Sequence, residues 1–254
     1  MGINLRLQCS GAICLVLLHH EASLAAERAK LQQSYSACFR VGAAVGPGQI
    51  VKNDGPTLDL VARQFNSITS ENLLKWASVH PRLDQYRFGP ADQFVQFGEA
   101  HGMWIVGHTL LWHNQTPAWV FRDEAGQPLA REALLDRLKR HIHSVAGRYQ
   151  GRIDAWDVVN EAINDDGSLR DTPWRRLIGD DYVEKAFQFA HEADPNAELY
   201  YNDYLLYRPA KRDAVARLVR RLQGAGCRID GVGIQAHWGL EYPKIAQIDA
   251  AIDA

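Results

Sequence analysis

The chain has 254 residues, with 28 Lys plus Arg against 30 Asp plus Glu. That near balance removes the reason to expect nucleic acid or an anionic membrane surface as partner. A hydrophobic content of 46% is ordinary for a globular protein, no apolar stretch is long enough to span a bilayer, and the length suits one large domain.

The first 25 residues stand apart. Arg6 precedes the apolar run 11–18, and Ser23-Leu24-Ala25 follows with small residues where a signal peptidase reads them. This order predicts a secretory signal over residues 1–25 and a secreted or periplasmic protein whose mature domain begins at residue 26. Cys9 and Cys14 would leave with the signal. Cys38 and Cys227 remain, each at the start of a predicted strand. The two strands are not neighbours, so two free, buried thiols are expected rather than a disulfide.

Beyond the signal, apolar β-type segments alternate with helical patterns, the signature of βα units and a parallel sheet. Strands are predicted at 39–45, 65–69, 103–109, 153–160, 197–202 and 231–235. Between them, 57–63, 91–100, 131–149, 182–192 and 210–222 carry apolar residues at three- and four-residue spacing and read as helices. Gly102, Gly151 and Gly224 stand where helices stop, and Pro90 and Pro209 where they start. There is no linker, repeat or low-complexity tract. Six strands fit either an open parallel sheet or an α/β barrel short of the eight strands that close it.

Chemistry-bearing residues collect after these strands. The fourth runs into Asn160 and Glu161; in a parallel barrel an acid at a strand's carboxyl end reads as catalytic, whereas alone it could as well be a helix cap. Glu71, Asn72, Lys75 and Trp76 follow the second strand, and His108, Trp112, His113 and Gln115 end the third. Asn202, Asp203 and Tyr204 end the fifth, and Gln235, His237 and Trp238 the sixth. A single His or Gln in such a place is usually structural and a single Trp usually core. Five strand ends with the same habit point to one polar mouth. Amides, carboxylates, Lys and His pair with hydroxyl groups, and Trp faces stack on sugar rings. Phosphate chemistry lacks its loop, since neither GxGxxG nor GxxxxGK[ST] occurs, and a GxSxG elbow is missing too. A metal held by His108, His113 and His237 is disfavoured, because the first strand offers no ligand and there is no close His pair.

These motifs resemble glycoside hydrolase family 10, the endo-1,4-β-xylanases. The matching stretches are Ile68-Thr69-Ser70-Glu71-Asn72 with Lys75-Trp76, the run 107–119, Trp156-Asp157-Val158-Val159-Asn160-Glu161-Ala162, Tyr200-Tyr201-Asn202-Asp203-Tyr204 and the run 230–238. The resemblance implies a (β/α)8 TIM barrel over residues 26–254, incomplete at the C-terminus after about six βα units. It also implies retaining hydrolysis of the xylan backbone, with xylan or xylo-oligosaccharides as partner, no nucleic acid, and no metal or organic cofactor. By the family pattern Glu161 is the acid/base and Asn160 holds the 2-hydroxyl of the sugar at the scissile bond. Lys75, His108, Trp112, Gln235 and His237 line the same subsite, Glu71, Asn72 and Gln115 hold the next sugar, and Tyr204 and Trp238 stand nearby. The family's nucleophile, a Glu in a Thr-Glu-Leu-Asp motif after the seventh strand, is not in this chain. Neither Glu241 nor Asp203 stands in for it. The implied function is therefore a xylanase whose own turnover is in question; the alternatives are an inactive fragment or a non-catalytic xylan-binding protein. Ser70 replaces a common Pro, and Leu205 stands where Asn often follows the Asn-Asp-Tyr motif.

Overall fold

The computed structural model describes residues 29–254; the segment expected to be a signal lies outside them. Six strands form one parallel sheet: β1 (Gly42–Val45), β2 (Ser67–Ser70), β3 (Trp104–Trp112), β4 (Ala155–Asn160), β5 (Glu198–Asp203) and β6 (Gly231–Ile234). Their order in the sheet is their order in the chain, and every pairing is parallel. Besides the single turns Pro47–Ile50 and Trp76–Val79, the helices between them are α1 (Gly55–Gln64), α2 (Gly89–Ala100), α3 (Arg131–Ala146), α4 (Pro173–Ile178), α5 (Tyr182–Ala193) and α6 (Pro209–Gly224), with α7 (Ile245–Ile252) after β6.

Most boundaries shift by one or two residues from expectation, and three of the differences have a clear physical reason. β1 begins at Gly42 rather than at residue 39, because Phe39 stacks on Tyr35 at 5.0 Å in a preceding turn and is 60% exposed. Cys38 lies in that turn and is exposed, so only Cys227 is the buried thiol expected of both; each is free. β3 runs on to Trp112, since a register shift between His108 and Leu111 lets it stay paired with β4 past the irregularity. The helix expected over 131–149 is α3 closed by a tighter turn at Gly147–Tyr149.

The core sits on both faces of the central strands. All six residues of β4 are buried, as an apolar run in a doubly covered parallel strand should be. Trp156 fills the space over Gly107, its partner across the β3–β4 ladder; a Cβ at Gly107 would lie 2.3 Å from the indole. Outside the sheet, α3 and α5 bury Leu138, Ile142, Val145, Val183, Ala186 and Phe187. Among the described residues β1 and β6 form the two edges of the sheet, and Val232 of β6 is 39% exposed.

Candidate active site

Parallel strands place every carboxyl end on one side, so the polar residues predicted there converge. Ladder register puts Trp112, Asn160, Asn202 and Gly233 side by side on β3 to β6. A cleft of about 760 Å³ opens at this end, lined by Glu71, Lys75, His108, Trp112, Asn160, Glu161, Gln235 and His237. Gly42, Ala43 and Ala44 of β1 also line it, and their small side chains leave it room.

Glu161 follows the last residue of β4 and adopts a left-handed backbone at φ 58°, a region few non-glycine residues occupy. Its backbone N–H donates to the Asn202 carbonyl at 2.9 Å, and its own carbonyl accepts from Arg170 Nε at 3.0 Å. The carboxylate is held from two sides. Trp112 Nε1 donates to Oε2 at 3.0 Å and Gln235 Nε2 to Oε1 at 3.1 Å. The same Gln235 nitrogen donates to Asn160 Oδ1 at 3.1 Å, and Asn202 Nδ2 reaches that oxygen at 3.0 Å. Space for the Asn202 amide depends on Gly233: a Cβ there would stand 2.3 Å from Asn202 Oδ1.

Deeper along β3 and β4, His108 Nδ1 donates to Asp157 Oδ2 at 2.8 Å, which leaves Nε2 for a ligand. The Lys75 ammonium donates to Asn72 Oδ1 at 3.0 Å and stands 4.8 Å from the centre of the Trp112 ring. Burial lowers the Lys75 pKa, and the negative charges of Glu71 and Glu161 oppose that shift. Glu71 takes its place because Gly46 has no side chain; a Cβ there would lie 2.5 Å from the Glu71 carboxylate. His113 is held below its ordinary range, first by burial and then by Arg170.

The remaining predicted residues stand outside the cleft lining, except His237 at its exposed side. Asn72 joins Lys75 to Gln115, whose Nε2 reaches Asn72 Oδ1 at 3.4 Å. The Tyr204 hydroxyl accepts from Arg170 Nη2 at 3.0 Å, and its ring lies 3.4 Å from the Lys211 ammonium. His237 is exposed and meets Gln235 Oε1 at 3.1 Å. Trp76 is core, stacked on His141 at 3.5 Å. Asp203 is fully buried against Lys211 and Tyr201, and burial pushes its carboxyl up. Sequence reasoning missed Asp157, whose signal was a charge inside an apolar strand. It also missed Arg170 and Lys211, which left no local pattern to read, and took Tyr201 only as part of the matched stretch 200–204.

A run of βα units with a carboxylate, amides, an imidazole and an indole at the strands' carboxyl ends defines a barrel glycoside hydrolase. The profile described as glycosyl hydrolase family 10 matches residues 30–254, and the chain belongs to that family. It is 44% identical over 246 residues to endo-1,4-β-xylanase A of Xylanibacter ruminicola, covering 97% of this chain and 66% of that protein. Against endo-1,4-β-xylanase B of Paenibacillus barcinonensis the identity is 47% over 232 residues, with 91% of this chain and 69% of the relative covered. The crystal structure of the Paenibacillus barcinonensis xylanase bound to a conduramine derivative superposes with a TM-score of 0.85 at 47% identity, over 90% of this chain and 68% of that one. A family 10 endoxylanase from a sugarcane soil metagenome gives 0.86 at 44% identity, over 88% and 65%. The six strands are thus successive units of the family's (β/α)8 barrel, and the chain spans about two thirds of the length of these relatives.

Proposed function

We propose that this chain forms the glycan-binding and proton-donating part of a retaining endo-1,4-β-xylanase acting on the xylan backbone. The observation that carries this reading is Glu161, a strained strand-end acid held by Trp112 and Gln235 beside an oriented Asn160. In this role Glu161 gives its proton to the departing sugar oxygen, then takes one from the water that releases the glycosyl-enzyme. Asn160 Oδ1 already accepts from two amides, so its own NH2 is the group left to donate to the sugar 2-hydroxyl. His108 Nε2 and the Lys75 ammonium are placed to bind neighbouring hydroxyls. The xylanase names of the relatives support the substrate class. This chemistry uses no metal or organic cofactor.

Retention needs a second carboxyl about 5–5.5 Å from the first. The other acids lining the cleft are Glu71 and Asp157. Asp157 is committed to His108, and Glu71 sits between the Gly46 backbone and Lys75. We assign the nucleophile to neither, so the 254-residue chain by itself is expected to bind xylo-oligosaccharides without cleaving them. Calorimetric titration with xylotetraose, run beside a reducing-sugar assay on xylan, tests this. Binding that weakens in His108→Ala, with no sugar released, is the expected result. Absence of binding refutes the substrate class; sugar release that survives Glu161→Gln refutes the role of Glu161. We also propose export, which the pattern at residues 1–25 supports. Recovery from an expressing culture of a secreted form starting near residue 26 would bear it out, and a cell-retained form with residue 1 intact would not.

A further inference from the structure

Behind the cleft wall lie three buried polar side chains that do not line it. Lys211, near the start of α6, and Asp203, the last residue of β5, are both fully buried, with Nζ 2.9 Å from Oδ1. The Tyr201 hydroxyl donates to Asp203 Oδ2 at 2.5 Å and accepts the backbone N–H groups of Ala162 at 3.0 Å and Ile163 at 3.2 Å. Those are the two residues after Glu161. The capacity of a phenol, one hydrogen and two lone pairs, is thereby filled. The Lys211 ammonium also lies 3.4 Å from Asp165 Oδ1, on the loop after β4, and 3.4 Å from the Tyr204 ring centre.

A buried ion pair is a poor device for stability alone, because desolvating both charges cancels much of their attraction. An apolar trio of the same volume would serve a core as well. It could not satisfy the N–H groups of Ala162 and Ile163, which the left-handed turn at Glu161 takes out of the β4–β5 ladder. We propose that Tyr201, Asp203 and Lys211 act as a positioning relay for Glu161. Lys211 orients the Asp203 carboxylate, and Asp203 fixes the direction of the Tyr201 O–H. The lone pairs of that hydroxyl then hold the turn that aims the Glu161 carboxyl at Trp112 and Gln235. Through the same ammonium, Lys211 supports the Tyr204 ring at the rim. The naming of Glu161 as acid/base rests on the function proposed above; the relay itself does not.

The test compares the full chain with its Tyr201→Phe variant, which deletes one oxygen and keeps the ring, by NMR and amide hydrogen exchange. Exchange at Ala162 and Ile163 is expected to speed up at least about tenfold, while Ile105 and Val158 keep their protection. The Trp112 indole N–H, which reports the position of Glu161 Oε2, should shift, and that of Trp119, bonded to Pro81 O, should not. Lys211→Met should give the same local pattern; if it fails to fold, Tyr201→Phe still decides. Unchanged exchange at Ala162 and Ile163 would overturn the relay. So would a rise shared with Ile105 and Val158, or a local rise that leaves the Trp112 resonance in place. Xylotetraose titration of the wild-type chain separates the two ideas: no binding defeats the glycan reading, while the exchange pattern judges the relay by itself.

Discussion

Leu205 holds its backbone at φ 56°, a left-handed conformation that costs a Leu about 1–2 kcal/mol and suits Asn far better. The family pattern often has Asn there. Leu205→Asn is therefore expected to raise the melting temperature by about 2 °C, at roughly 2–4 °C per kcal/mol for a domain of this size. A fall measured by scanning calorimetry would show that the half-buried side chain matters more than the turn. Gly233 gives the opposite case. Adding a methyl 2.3 Å from Asn202 Oδ1 must displace that amide and release Asn160 from one of its two donors. Gly233→Ala should weaken xylotetraose binding about five- to tenfold, near 1–1.4 kcal/mol. It should also destabilise the fold by about 1–3 kcal/mol through overpacking. At this scale the site was partly legible: Glu161, Asn160, His108 and Gln235 announced themselves as polar residues after apolar runs. Gly233, Tyr201 and Lys211 did not, because their importance lies in the space or partner they offer to residues distant in the chain.

Among the elements, the contact between α3 and the loop before α2 carries a proton-sensitive joint. His80 Nε2 meets the Leu83 carbonyl at 3.0 Å, and a carbonyl only accepts, so that nitrogen bears the hydrogen. Neutral His80 then accepts at Nδ1 from His141 Nδ1–H at 3.1 Å. His141 Nε2 is left buried without a partner; its ring stacks on Trp76 at 3.5 Å and lies within 6° of the plane of the His80 ring. Burial holds both imidazoles below 6.5; Arg137 adds to this for His80 while Asp84 opposes it, and His80 adds to it for His141. The unfolded chain takes up these protons below about pH 6.5 and the folded chain does not, so stability falls as pH drops through that point. Melting temperature should decline from about pH 7 to about pH 5, and His141→Phe, which keeps the stack, should flatten the decline. An equal slope in the variant would remove the pair as its cause. Helix and strand identities were readable from periodicity, and their ends less so. β3 outran its expected end because the ladder to β4 resumes after a register shift, which no local pattern announces.

At the scale of the whole molecule the sheet is protected from its middle outward. β4 is buried throughout, whereas β1 and β6 each pair on one side only among the described residues. Amide exchange in the 254-residue chain should therefore be slowest in β3 to β5 and fastest in β1 and β6; uniform protection across all six strands would contradict this. The alternation of strand and helix made the parallel sheet foreseeable, while the choice between open sheet and barrel needed family motifs that periodicity does not carry. Because strand order equals chain order, the site also has a direction in time. As the chain leaves the ribosome, Glu71 emerges after Gly46 and Lys75 after Asn72, while His108 waits 49 residues for Asp157. Glu161 finds Trp112 already made but emerges before its other restraints, for Tyr201, Asn202, Lys211 and Gln235 are all still to be synthesised. The acid is thus the last of these groups to be set in place, although it lies in the middle of the sequence.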